Sequence, residues 1–203
     1  MHNVVSYTDH AIKQYFQRVS GQPWLNNTIF VFTADHCGKS YRQDYNNDMG
    51  RFLIPIFFYT PGRQLPAKCD STTLIQQTDI TPTLLALLNY QKPCFAFGKN
   101  VFDDNPDQLN FVFNDRDGTS MYYLDSLMIQ YRDSRLTGIY RFKNDPSLQH
   151  NLLPQRHRFP QLPRMQRQIE AIIQQYVTRM QDNNLTTNPR RRTTPATKVG
   201  VTK

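Results

Sequence analysis

The chain has 203 residues and a net charge of +8, with 38% hydrophobic and 12% aromatic residues. That is the composition of a folded globular protein with room for one good core, not of a disordered chain. Its longest apolar run, FLIPIFFY at 52–59, falls far short of the roughly twenty residues a membrane helix needs, and no leader-like segment opens it. Its three cysteines, Cys37, Cys69 and Cys94, are too few and too scattered for a disulfide scaffold or a zinc knuckle.

The basic charge is unevenly placed. Arg190, Arg191, Arg192, Lys198 and Lys203 lie within 188–203, where there is no acid, leaving only +3 for the rest. This Thr- and Pro-rich end has no apolar periodicity, and 183–203 is expected to be a disordered basic tail. A nucleic-acid-binding module would need clustered basic and aromatic residues on a folded face, so the tail alone argues for no specific nucleic acid. The acids are skewed as well, with Glu170 the single glutamate.

In chain order, Val4, Val5, Ile12, Tyr15, Phe16 and Val19 follow helical spacing over 3–19, stopped by Ser20-Gly21-Gln22-Pro23. Residues 28–34 are β-branched and aromatic without polar alternation, the pattern of a strand covered on both faces in a parallel sheet. A polar loop covers 37–51, and 53–59 reads as a second buried strand ended by Pro61-Gly62. Thr81-Pro82 is expected to open a helix over 81–89, with Thr81 as its N-cap. Four strand-like runs follow from about 109, separated by Asp117-Gly118, Asp125-Ser126 and Asp133-Ser134, which predicts an antiparallel meander. Residues 144–163 read as coil. A closing amphipathic helix then carries Leu162, Met165, Ile169, Ile172, Ile173, Tyr176 and Met180. The fold class is α/β: a mostly parallel sheet flanked by helices, then a small antiparallel meander and a C-terminal helix.

The chemistry centres on Asp35-His36, just beyond the first buried strand, where open α/β sheets collect their ligands. A carboxylate beside an imidazole offers one oxygen and one nitrogen to a divalent metal. The same two residues also read as an Asp-capped turn and an ordinary polar loop histidine. His10 reads as a surface or packing residue, His150 and His157 lie in coil, and Cys37 reads as a small buried residue of the turn, with a soft thiolate ligand as the alternative.

Four pieces, VVSYTDHAIKQYF, NNTIFVFTADHCG, MGRFLIPIFFYTPG and QTDITPTLLALLNY followed by FGKNVF, resemble the C-terminal half of a catalytic domain. The resemblance is to the sulfatase and lipoteichoic-acid-synthase-like family of the alkaline phosphatase superfamily. It spans 7–102, and KNDPSLQHNLL is similar to that family's ending. It implies an alkaline-phosphatase-like fold, with 1–105 the C-terminal half of the catalytic domain and 106–182 the meander and closing helix of the same domain. It implies a metal-dependent hydrolase or transferase of phosphate or sulfate esters, with Asp35 and His36 as metal ligands. The imidazole suits zinc or manganese, with calcium or magnesium as alternatives, and leans toward phospho-group transfer to a cell-envelope lipid or glycan. Lys39, Arg42 and Arg51 are candidate contacts to the anionic ester. The nucleophile belongs to an N-terminal half that this sequence does not contain, so the chain alone is expected to be inactive. That missing half, with its membrane helices, is the expected partner, and the expected setting is an extracytoplasmic domain of an inner-membrane protein. Cys69 and Cys94 could pair there. A non-catalytic interaction or nucleic-acid-binding module using the basic tail is the alternative.

Overall fold

The first helix, α1 (His2–Val19), meets the rest of the chain near its C-terminal end. Phe16 packs edge-on to Phe30 and Tyr59, with ring centroids 5.0 and 5.6 Å apart, and Tyr15 also reaches Phe30. Val4, Val5 and Tyr7 at its start are exposed. The computed structural model describes residues 2–38, 40–66, 73–103 and 111–187. Cys69, one of the two cysteines that could pair, and the basic segment 188–203 lie outside them, while Cys94 is exposed.

Strands β1 (Phe30–Thr33) and β2 (Ile56–Tyr59) are neighbours, as expected, but they run antiparallel, Phe30 opposite Tyr59 and Thr33 opposite Ile56. The parallel pairing and the burial on both faces expected for these strands are corrected. β2 alternates, with Ile56 and Phe58 half-buried while Phe57 and Tyr59 are 60% and 47% exposed. An uninterrupted apolar run gave no sign of this, because side-chain alternation comes from the pleat rather than from composition. Both strands are also shorter than predicted. Thr28 still belongs to the preceding 3-10 turn, its N–H donating to the Leu25 carbonyl. Pro55 has no N–H to give to a ladder.

The next helix starts earlier than Thr81. A 3-10 turn, Gln77–Asp79, leads into α2 (Ile80–Leu87). The Asp79 carboxylate receives the Gln76 backbone N–H at 3.0 Å, and the Asp79 N–H donates back to the Gln76 carbonyl at 2.9 Å. Thr81 therefore sits inside the helix, because the stronger cap lies one turn upstream. The Gln76 side chain faces the other way, accepting from the Phe113 N–H and donating to the Phe111 carbonyl. It thus pairs with the open edge of the next sheet.

That sheet is the predicted meander: β3 (Phe111–Arg116), β4 (Thr119–Leu124), β5 (Leu127–Arg132) and β6 (Arg135–Tyr140), antiparallel in chain order. The two-residue turns work as their sequences suggest. Asp117 and Gly118 have φ of 51° and 76°, and Asp133 and Ser134 have 48° and 59°. Positive φ at both central residues matches the turn to the strands' twist.

Most fully buried side chains lie here. On one face Tyr122, Leu127, Ile129 and Ile139 pack under Leu162, Met165 and Ile169 of α3 (Leu162–Gln181). On the other face Met121, Met128 and Tyr123 pack with Met49 and Phe52 of the loop that follows β1. The second half of α3 continues over Phe95 and Phe97, with Tyr176 against Phe97 and Arg179 over the Phe95 ring, while Tyr176 and Met180 stay about half exposed. Glu170 accepts the Tyr131 hydroxyl and Gln168 accepts that of Tyr122, fastening α3 to the sheet, and burial pushes the Tyr122 phenol up to about 12. Part of the expected coil is ordered as a 3-10 turn, Leu153–Arg158, with Pro154 in its first turn.

Asp145 holds the chain beyond β6. Burial pushes its carboxyl up, but the N–H groups of Gln149 and His150, at 2.9 and 2.7 Å, outweigh this and leave it below the ordinary 3.8. A depressed carboxyl contributes stability that is complete above its unfolded value and lost as pH falls through its folded one. Acid unfolding followed by circular dichroism should therefore show Asp145→Asn losing less stability than wild type between about pH 5 and about pH 2. Equal losses would show that the loop gains nothing from this charge.

Candidate metal site

β1 ends at Thr33, and the chain turns at once, leaving Asp35 and His36 exposed beyond the strand's C-terminal end. Asp35 Oδ1 receives the His36 backbone N–H at 2.8 Å, a bond from the adjacent residue and not the cap of a following turn. His36 Nδ1 lies 2.9 Å from the Cys37 carbonyl. A carbonyl only accepts, so Nδ1 carries a proton, and in the neutral form of the ring the lone pair is on Nε2. Nε2 stands 3.5 Å from Asp35 Oδ2. That spacing suits an ion pair when the ring is protonated and, when it is neutral, a cation shared between the two. Two ligands about 2.0–2.2 Å from one tetrahedral zinc lie roughly 3.4 Å apart. The donor set therefore fits a divalent metal held by two protein ligands. Among the described residues no group of three or more His, Cys, Asp or Glu is placed to hold one.

The backbone around the pair is fastened at both ends. The Cys37 N–H donates to the Arg51 carbonyl at 2.8 Å, and its thiol to the Leu53 carbonyl at 2.9 Å. Burial pushes that thiol up, so Cys37 is a neutral donor that ties the loop down. Upstream, Gln77 Nε2 donates to the Ala34 carbonyl at 2.7 Å.

The expected basic contacts fare differently. Lys39 lies outside the described residues. Arg42 forms a fork with Asp44, at 3.1 and 2.6 Å, and lies over the Tyr45 ring. This pairing holds the Asp44 carboxyl below its ordinary value, so Arg42 would have to release Asp44 before binding an ester. Arg51 is brought beside the site through its carbonyl bond to Cys37. His10 lies on α1 with Gln14, and His150 beside Asp145, both apart from this turn. Sequence reasoning assigned no role to Gln77, Asp79 or Lys99. The one available signal was a lone acid inside the apolar run TDITPTLLALL.

The Sulfatase family model matches residues 2–90. Over 106 residues the chain is 29% identical to the arylsulfatase of Clostridium perfringens (strain 13 / Type A), covering 49% of this chain and 22% of that protein. That match covers less than half of the chain. The fold likeness extends beyond it. A protein in the alkaline phosphatase superfamily from Vibrio parahaemolyticus matches 92% of this chain over 43% of its own, at TM-score 0.71 and 17% identity. Ps i-CgsB, solved in complex with k-i-k-neocarrahexaose, matches 80% over 40% of its own, at TM-score 0.60 and 17% identity. The chain thus has an alkaline-phosphatase-like α/β fold, whose meander and α3 follow the residues that match the Sulfatase model. It spans less than half of these two structures, and the arylsulfatase alignment about a fifth of that protein. Among the described residues no helix is long and apolar enough to cross a membrane.

Proposed function

We propose that this chain supplies the C-terminal part of a metal-dependent sulfatase-family enzyme, with Asp35 and His36 as two of its metal ligands. The observation that carries the reading is the 3.5 Å separation of Asp35 Oδ2 and His36 Nε2 at the end of a sulfatase-family strand. Sulfatase-family enzymes generally use a divalent metal, and the imidazole favours zinc or manganese over calcium or magnesium. Such an ion would neutralise the charge that develops on the oxygens of a phosphate or sulfate ester. The chain's own part is to hold that ion: Asp35 gives a carboxylate oxygen, and the Cys37 carbonyl keeps the imidazole turned so that Nε2 points outward. Arg51, and Arg42 once freed from Asp44, would bind the anionic ester. Lys39 would add a third charge.

The remaining ligands and the nucleophile would come from an N-terminal half, the proposed partner. The exposed apolar side chains of α1 and β2, Val4, Tyr7 and Phe57 among them, are a surface such a half could cover. Phospho-group transfer to a cell-envelope lipid or glycan, outside the cytoplasmic membrane, is the finer reading. It rests on the Asp-His pairing and on the resemblance to lipoteichoic-acid-synthase-like proteins.

The test uses aryl phosphates and aryl sulfates with added manganese or zinc. The 203-residue chain alone should show no turnover, whereas a polypeptide joining it to an N-terminal sulfatase half should be active. Metal-dependent turnover by the chain alone, lost on replacing one of its own hydroxyl residues, would place the catalytic half wrongly.

A further inference from the structure

We infer that Gln77, held by the buried Asp79–Lys99 pair, is a positioning residue for Asp35 and His36. This inference rests on the metal-ligand reading of those two residues and adds to it the device that fixes them. Asp79 is 1% exposed, and its carboxylate gathers three bonds. Oδ1 accepts the Lys99 backbone N–H at 2.8 Å, while Oδ2 accepts the Gln76 N–H at 3.0 Å and Lys99 Nζ at 3.3 Å. Lys99 Nζ also donates to the Leu74 carbonyl at 2.8 Å. The 3-10 turn that begins at Gln77 is therefore pinned from beneath by a charge pair closed off from water. Gly98 makes the approach possible, since a Cβ there would lie 2.1 Å from the Thr78 carbonyl oxygen.

From this fixed turn the exposed Gln77 side chain reaches across to β1. Its Nε2 lies 2.7 Å from the Ala34 carbonyl and 3.5 Å from that of Asp35. No side chain of the pair is touched. What is held is the backbone that aims them, on the side opposite the anchor that Cys37 makes to Arg51 and Leu53. With one anchor at Ala34 and the other at Cys37, the Asp35–His36 backbone between them has little freedom to swing its two donors apart. Groups that orient metal ligands typically matter by about ten- to a hundredfold in metal affinity.

The test reads weak binding directly. Mn2+ is titrated into the 203-residue chain while paramagnetic broadening of the His36 ring and Asp35 resonances is followed by NMR. Gln77→Met keeps the side chain's length without its donor, and Gln77→Ala removes it altogether. Both should need about tenfold more Mn2+ for half-broadening, with an unchanged thermal midpoint because Gln77 is exposed. Equal Mn2+ midpoints for wild type and both variants, alongside loss of broadening in Asp35→Ala, would overturn the role of Gln77 and leave the metal reading standing. Broadening that survives Asp35→Ala would overturn the metal reading itself, and this inference with it.

Discussion

Asp35→Ala and His36→Ala, each made in a polypeptide that joins this chain to a sulfatase N-terminal half, should lower turnover by about a thousandfold or more. Each change removes a donor from a metal that would stabilise charge in the transition state, an effect of several kcal/mol, and about 4 kcal/mol is three powers of ten. Bound metal, measured by elemental analysis, should fall in parallel. Stability should hardly move. The Asp35 and His36 side chains are 86% and 53% exposed, and exposed polar residues away from structural features usually shift stability by less than about 0.5 kcal/mol. This pairing of outcomes separates a ligand from a capping residue. Were Asp35 a structural cap instead, its loss would lower stability by roughly 0.5–2 kcal/mol and leave turnover intact.

Lys99→Met should be the most destabilising single change near the site, at about 3–5 kcal/mol, because it strands the Asp79 carboxylate without its cation. Asp79 is 1% and the Lys99 side chain 12% exposed, so little water reaches the charge left behind. For a chain of this size that corresponds to a melting temperature lower by about 6–20 °C. Asp79→Asn combined with Lys99→Met should recover much of the loss, since neither partner then carries charge, although one oxygen acceptor for the Gln76 and Lys99 N–H groups is gone. A loss below about 1 kcal/mol in Lys99→Met alone would mean that water replaces the ammonium. Thermal denaturation of the three proteins decides between these outcomes.

The meander was legible because its information is local. Asp-Gly and Asp-Ser pairs between short apolar runs specify two-residue turns whatever surrounds them, and Asp117, Asp125 and Asp133 all take positive φ. The closing helix was legible for the same reason, its apolar stripe recurring at helical spacing. Direction and cover of β1 and β2 were not, because those depend on which strand lies alongside. Phe57 and Phe58 are the same residue type in one run, yet the pleat sends the first outward and the second inward toward Phe102.

What the sequence determined by itself was the order of elements and the two adjacent residues that could ligate a metal, because these follow from residue types and their order along the chain, while four motifs carried a resemblance to the sulfatase family. The tertiary structure decided the rest. It paired β1 with β2 antiparallel and placed most of the buried core at the meander. It tied Arg42 to Asp44 and drew Gln77, forty-three residues downstream, onto the Ala34 carbonyl. The reason is physical: a backbone carbonyl at a strand end carries no sequence signature, and the side chain that meets it is selected by packing. The buried Asp79–Lys99 pair sets where that packing places Gln77.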